Sequence, residues 1–121
     1  MKKLKAYIYC RVSSEKTRSL LEYQENTLKE YADILNIEVF AVARELGNKR
    51  HLRNRGLENL IYNVINNKIH FILIYDKTRI STDDELFVEF QMLCDKHAIE
   101  ILTVDKLKYM ISKNTYSSHE K

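Results

Sequence analysis

The sequence predicts an α/β domain: a mainly parallel four-stranded sheet held between helices in three layers. Four short apolar runs alternate with three longer stretches whose apolar residues recur at helical spacing. Each run is joined to the next by one such stretch, the crossover that a parallel pair of strands requires. The composition, with no Pro, two Gly, 45% hydrophobic and 31% charged residues, suits a globular domain and neither a loop-rich nor a disordered chain. A length of 121 residues is enough for one core and short of two.

Residues 6–12, AYIYCRV, are short, β-branched and aromatic, and predict the first strand. From Ser19 onward, Leu20, Leu21, Gln24, Leu28, Tyr31, Ala32 and Leu35 fall on a helical period, with Asn36 as its stop. IEVFAVA (37–43) reads as the second strand, and the polar, basic segment after it, which contains Gly47, as a loop. Leu57, Leu60, Ile61, Val64 and Ile65 mark a second helix closed by Asn66 and Asn67. HFILIY (70–75) is a continuous apolar run and hence a central strand. Leu86, Phe87, Phe90, Leu93 and Cys94 give a third helix opened by TDDE, whose acidic residues suit a helix N-terminus. IEILTV (99–104) is the fourth strand. Residues 105–121 show no strong period and are expected to form a polar, flexible tail, which sets the domain at 1–104.

No apolar run approaches the roughly 18 residues of a membrane span, and MKKLKAYIYC lacks the sustained apolar core and cleavage site of a signal peptide. A cytoplasmic protein without membrane contact is the expectation. Cys10 and Cys94 lie in apolar runs, without C-x-x-C or Cys/His clustering, and read as buried thiols. The formal charge of +3 conceals one strongly basic segment. RELGNKRHLRNR (44–55) sets Arg44, Lys49, Arg50, Arg53 and Arg55 against Glu45 alone, which favours contact with an anion such as a phosphate.

Ligands of parallel sheets gather at the carboxyl ends of the strands. There the sequence places Arg11, Ser13 and Ser14 after the first strand, Arg44 and Glu45 after the second, and Asp76, Lys77, Thr78 and Arg79 after the third. No histidine is spaced as a base beside Ser13, and no cluster of ligating residues points to a metal. Arginines around a serine suit phosphoryl transfer, because guanidinium groups neutralise a phosphate diester and its charged transition state. A serine after a strand also serves as a turn former or helix cap. Spacing alone leaves both readings open.

YCRVSS resembles the Tyr-x-Arg-Val-Ser-(Ser/Thr) signature of the serine recombinases, the family of resolvases, DNA invertases and large serine integrases. The similarity continues through Gln24, RGLENLI, IHFILIYDKTRIS and FVEFQMLCDKHAIEIL, covering residues 4 to 104. It implies a resolvase-like catalytic domain acting on DNA as a homodimer or tetramer, cutting through a 5'-phosphoserine linkage and rejoining, with no cofactor. Carried over by position, Ser13 is the nucleophile, Arg11 and Arg79 contact the scissile phosphate, and Ser14 is structural. Tyr9 and Gln24 fall at matching positions and either support the site or pack. Arg53, Arg55 and Lys77 are further candidates for phosphate contact.

Departures from the pattern accompany these matches. The family reads Leu-Asp-Arg-Leu-(Gly/Ser)-Arg after the third strand; aligned on Arg79, this chain has Thr78 at the aspartate and Thr82 at the second arginine. Pairing Asp76-Lys77 with Asp-Arg leaves the spacing one residue short before Ile80. Asn54 falls on the arginine of Arg-x-Gly-Leu, between Arg53 and Arg55, and Glu45 approximates the acidic residue after the second strand. The family's long dimerisation helix and separate DNA-binding domain are expected to be missing, as in a fragment, a truncated product or a stand-alone relative. These departures keep an alternative open: a weakened relative that dimerises with or regulates a full-length recombinase in a phage or mobile element.

Overall fold

In the computed structural model, residues 3–47 and 55–119 are described, with side chains as far as Lys113. The first strand, β1 (Lys5–Val12), is buried from Ala6 to Val12, so both of its faces carry apolar groups. Ala6, Ile8, Cys10 and Val12 point to one side, where they pack with Leu21, Leu28 and Ala32 of α1 (Ser19–Ile34). Tyr7 and Tyr9 point to the other, onto Leu57, Leu60 and Val64 of α2 (Arg55–Ile65) and onto Phe90 and Cys94 of α3 (Asp84–Lys96). The period of two along β1 thus separates two cores.

The sheet runs in the order β2-β1-β3-β4, with β2 at Glu38–Leu46, β3 at Phe71–Ile74 and β4 at Glu100–Thr103. Every pairing is parallel. This is the three-layer architecture expected from the alternation of elements. Asn36 and Asn67, expected to stop their helices, take positive φ angles of 58° and 53°, and Ala98 turns the chain after α3 at 57°. The acidic start of α3 is a cap: Asp83 accepts hydrogen bonds from the backbone N–H groups of Glu85 and Leu86 at 2.9 and 3.3 Å. Cys10 and Cys94 are free, buried thiols whose pKa values burial pushes up to about 12.

Two expectations are corrected. Strand β2 continues past Ala43 to Leu46, so Arg44 and Glu45 lie inside it, paired in register with Cys10 and Arg11. An edge strand bonded on one side only, with alternate residues facing solvent, tolerates such polar residues where a central strand does not. Residues 105–121 were expected to be an irregular tail, yet a fourth helix, α4 (Val104–His119), occupies this segment. Val104 and Leu107 are buried and Met110 packs beside them in the α1 core. Three apolar positions spaced by three make a stripe too narrow to stand out among lysines.

Leu107→Ala tests that correction. Emptying a fully buried leucine site costs about 2–5 kcal/mol, to be read as a lower urea midpoint with an unchanged slope. A peripheral tail leaves the midpoint where it is.

Candidate active site

The strand order reverses direction at β1. The chain leaves β1 for β2 on one side, then crosses back to β3 on the other, opening a crevice at the carboxyl ends of β1 and β3. Ser13 stands on this edge, one residue past β1, exposed and with no side-chain hydrogen bond to the described residues. Ser14 is engaged differently. Its carbonyl accepts from the backbone N–H and the hydroxyl of Thr17 at 3.1 and 3.0 Å, opening a short 3-10 turn over Glu15–Thr17.

Arg11 is buried, only 3% exposed. Its guanidinium donates from Nε to the carbonyl of Arg79 at 3.0 Å, from Nη1 to that of Gly47 at 2.7 Å and from Nη2 to that of Thr78 at 2.5 Å. Three of its five N–H donors therefore hold backbone. Burial, as the largest cause, lowers its pKa from the usual arginine value. Gly47 adopts a φ of 135°, open to glycine alone, and donates its own N–H to the Val12 carbonyl at 2.9 Å.

The peptide groups of Arg11 are also clamped. Gln24, buried on α1, accepts from the Arg11 N–H at 3.2 Å and donates to the Arg11 carbonyl at 3.1 Å. The same carbonyl receives Arg79 Nη1 at 3.0 Å. Arg79 Nη2 lies 3.4 Å from Asp76 Oδ2, its Nε is buried without a partner among the described residues, and a quarter of its side chain stays exposed. Asp76 also accepts from Thr78, through both the backbone N–H at 3.0 Å and the hydroxyl, and so caps the 3-10 turn Lys77–Arg79. A carboxylate thus stands beside Arg79 although Thr78 occupies the aligned aspartate position. Asp76 supplies it from two residues earlier.

Tyr9 is fully buried and donates to Glu45 Oε1 at 2.5 Å, while Glu45 Oε2 accepts from the Gly56 N–H at 3.0 Å. Burial first, then the hydrogen bond to Glu45, pushes the Tyr9 pKa up and keeps the phenol a neutral donor. A Cβ at Gly56 would lie 2.7 Å from Glu45 Cδ and would push that side chain away from its bond to the Gly56 N–H. Sequence reasoning missed this role of Gly56; the glycine at the head of the second helical stretch was its one visible signal. It also missed Asp76 as the partner of Arg79 and the carbonyls that hold Arg11.

Other candidates lie elsewhere. Arg44 donates to Glu25 at 2.5 Å, and Lys29 bonds the same carboxylate at 2.6 Å. The Lys29 bond first, and the Arg44 bond against the cost of burial, hold the Glu25 pKa down. Lys77 reaches Asp84 at 3.4 Å on the surface, a pair worth little. Arg55 is exposed at the start of α2 and Thr82 is exposed ahead of α3, whereas Arg53 and Asn54 lie outside the described residues. No helix among the described residues is long and apolar enough to cross a membrane.

A parallel sheet whose order reverses at β1, with Ser13 exposed and Arg11 and Arg79 held at its carboxyl edge, defines a class. The chain belongs to the resolvase family, matching the Resolvase, N terminal domain over residues 6–118. Among solved structures it is similar to the C-terminal catalytic domain of ISC1926 TnpA, an IS607-like serine recombinase, at 28% identity and a TM-score of 0.79, over 84% of this chain and 70% of that one. The N-terminal catalytic domain of TP901-1 integrase shares the fold at 19% identity and a TM-score of 0.75, over 97% of this chain and 98% of the other. A resolvase family site-specific recombinase from Streptococcus pneumoniae does so at 20% identity and 0.72, over 97% and 87%. A comparison with curated proteins finds no match.

The clamp on Arg11 generates a prediction. Gln24→Leu keeps volume but strips the Arg11 N–H of its buried acceptor, and should cost about 1–3 kcal/mol in urea unfolding. Gly56→Ala should destabilise by a similar ~1–3 kcal/mol, because the carboxylate its Cβ displaces is fixed from both sides. A variant as stable as the wild type would show that the corresponding contact does not hold the site.

Proposed function

We propose that this chain is the catalytic domain of a site-specific DNA recombinase, cutting and rejoining DNA through a 5'-phosphoserine intermediate with Ser13 as nucleophile. The observation that carries the reading is the exposed Ser13 hydroxyl, without a side-chain hydrogen bond among the described residues, two residues after a buried arginine and one strand from Arg79. Ser13 Oγ attacks the phosphorus and loses its proton to solvent; the bond to the 3' oxygen breaks, and that oxygen leaves as a hydroxyl after taking up a proton. Rejoining is the reverse attack of a 3' hydroxyl on the phosphoserine. Because a diester is exchanged for a diester, the energy of the cut bond is retained.

Arg79, a quarter exposed, is assigned to contact the scissile phosphate, with Arg11 and its two remaining N–H donors adding charge; the exposure of Arg79 and the buried charge of Arg11 support this. Lys77, Arg55 and Arg53 are assigned to flanking phosphates; their contribution is positioning and should weaken with salt. Tyr9 and Gln24 act through Glu45 and the Arg11 backbone. The partners are DNA and further recombinase subunits. A second reading, a weakened relative that regulates a full-length recombinase by dimerising with it, is favoured by Thr82 at the aligned arginine and by the carbonyls that occupy most of the Arg11 fork.

Incubation with a nicked or mismatched duplex, followed by denaturing electrophoresis, separates the two. The recombinase reading expects a covalent protein–DNA band that Ser13→Ala abolishes and Ser14→Ala keeps; the regulatory reading expects none. Arg79→Lys retains charge but loses the planar fork and should slow adduct formation about a hundredfold with little change in stability. Thr82→Arg should accelerate it at saturating DNA, with Asn54→Arg giving a smaller gain. If Thr82→Arg only tightens binding, in a way that vanishes at high salt, Thr82 is not a missing catalytic arginine.

A further inference from the structure

Beside the Ser13 edge, on the α1 side of the sheet, Leu20, Tyr23, Gln24, Tyr75 and Arg79 line a cavity of about 230 Å³. Two of these residues are apolar groups left in water: Leu20 is 45% exposed and Tyr23 55%. The Tyr23 and Tyr75 rings lie with centroids 6.0 Å apart, tilted by 53°, so the cavity offers aromatic surface and not a closed slot. Two lining residues, Gln24 and Arg79, are the ones that grip the Arg11 carbonyl, at 3.1 and 3.0 Å. The cavity therefore borders the Arg11 carbonyl, two residues before Ser13 on the same strand end.

Aromatic rings beside a guanidinium that retains donor capacity make a poor aliphatic site. They suit a flat ring with an electron-rich edge. We propose that this cavity receives one unstacked nucleobase, that of the nucleotide adjoining the phosphate offered to Ser13. The inference rests on the recombinase reading for its placement. The base stacks on the tyrosine surface, and an acceptor on its edge takes a free N–H of Arg79, whose Nη2 contact to Asp76 is long at 3.4 Å. A nucleotide beside a break is the least costly in a duplex to unstack, since its backbone is restrained from one side only. Stacking of this kind tolerates any base, so the cavity positions the phosphate and does not read sequence.

The test uses the full chain and nicked duplexes carrying 5-iodouracil next to the nick, on its 5' or 3' side in separate substrates, or well inside the duplex. On irradiation, a label next to the nick should cross-link to the tryptic peptide 19–29, which contains Tyr23, or to 69–77, which contains Tyr75; the internal label should reach neither. Tyr23→Ala should weaken binding of the nicked duplex by roughly five- to a hundredfold, the worth of one base–aromatic stack, while Tyr23→Phe and Tyr75→Phe bind as the wild type does. Tyr23 is more than half exposed, and its replacement leaves the core intact. Equal affinity of Tyr23→Ala and wild type, or cross-links mapping elsewhere, overturns the proposal. So does a change of oligomeric state in Tyr23→Ala with DNA affinity unaltered, which would assign the patch to a protein contact. A Ser13 adduct without these cross-links removes the base site and leaves the recombinase reading; Tyr23-dependent cross-linking without an adduct does the reverse.

Discussion

The carboxyl edge of the sheet depends on one buried guanidinium. Arg11 points inward from β1 and among the described residues bonds no carboxylate; its fork is held by the carbonyls of Gly47, Thr78 and Arg79. These carbonyls come from two separate connections, Gly47 just after β2 and the 3-10 turn Lys77–Arg79 after β3. Burying a charge without compensation costs far more than any surface contact returns, whereas hydrogen bonds from an ionised donor are about twice as strong as neutral ones. The cheapest arrangement for the arginine is therefore the one in which both loops close over it. Removing any of the three acceptors would leave a buried donor unmet, so the loops hold the arginine as much as it holds them.

A second constraint works one layer below. The Glu45 carboxylate is gripped by the Tyr9 hydroxyl on one oxygen and by the first turn of α2 on the other. An anion at a helix N-terminus is favoured both by unpaired N–H groups and by the helix dipole. Here the carboxylate lies close enough to α2 that a Cβ at position 56 would displace it. Arg11 and Glu45 are register partners on adjacent strands. The two ends of the basic connection between β2 and α2 are thus fixed by neighbouring positions of one sheet.

The layers and the parallel sheet were legible because alternation of short apolar runs with helical periods is a property of local sequence. Ser13 and Arg11 were legible too, as the point where a buried strand breaks into polar residues. The placement of Arg44 was not. Its salt bridge to Glu25 on α1 joins positions 19 residues apart, and a run of basic residues gives no sign of which one is already neutralised. Arg11 misled in the opposite way: a guanidinium at a strand end looks available, and only the folded chain brings carbonyls 36, 67 and 68 residues away onto its fork. Asp76 escaped because sequence alignment compares positions, while a carboxylate can reach the same arginine from another position along a turn. Helix α4 escaped because its apolar stripe is narrow, and its burial comes from the α1 core beneath it.

The two arginines of the site are held very differently, and this divides their work. Arg11 has three good acceptors and almost no exposure, so moving it would break two loops at once. Among the described residues Arg79 has one sound bond, to the Arg11 carbonyl, a long contact to Asp76 and a buried Nε with no partner. An unmet buried donor costs on the order of 1–3 kcal/mol, which makes the present position of Arg79 less favourable than its other contacts suggest. An incoming phosphate oxygen therefore competes against little at Arg79 and against a complete set of acceptors at Arg11. On the recombinase reading, the mobile contact to the scissile phosphate belongs to Arg79. On the same reading Arg11 contributes fixed charge, and Gln24 holds both sides of its backbone, N–H and carbonyl.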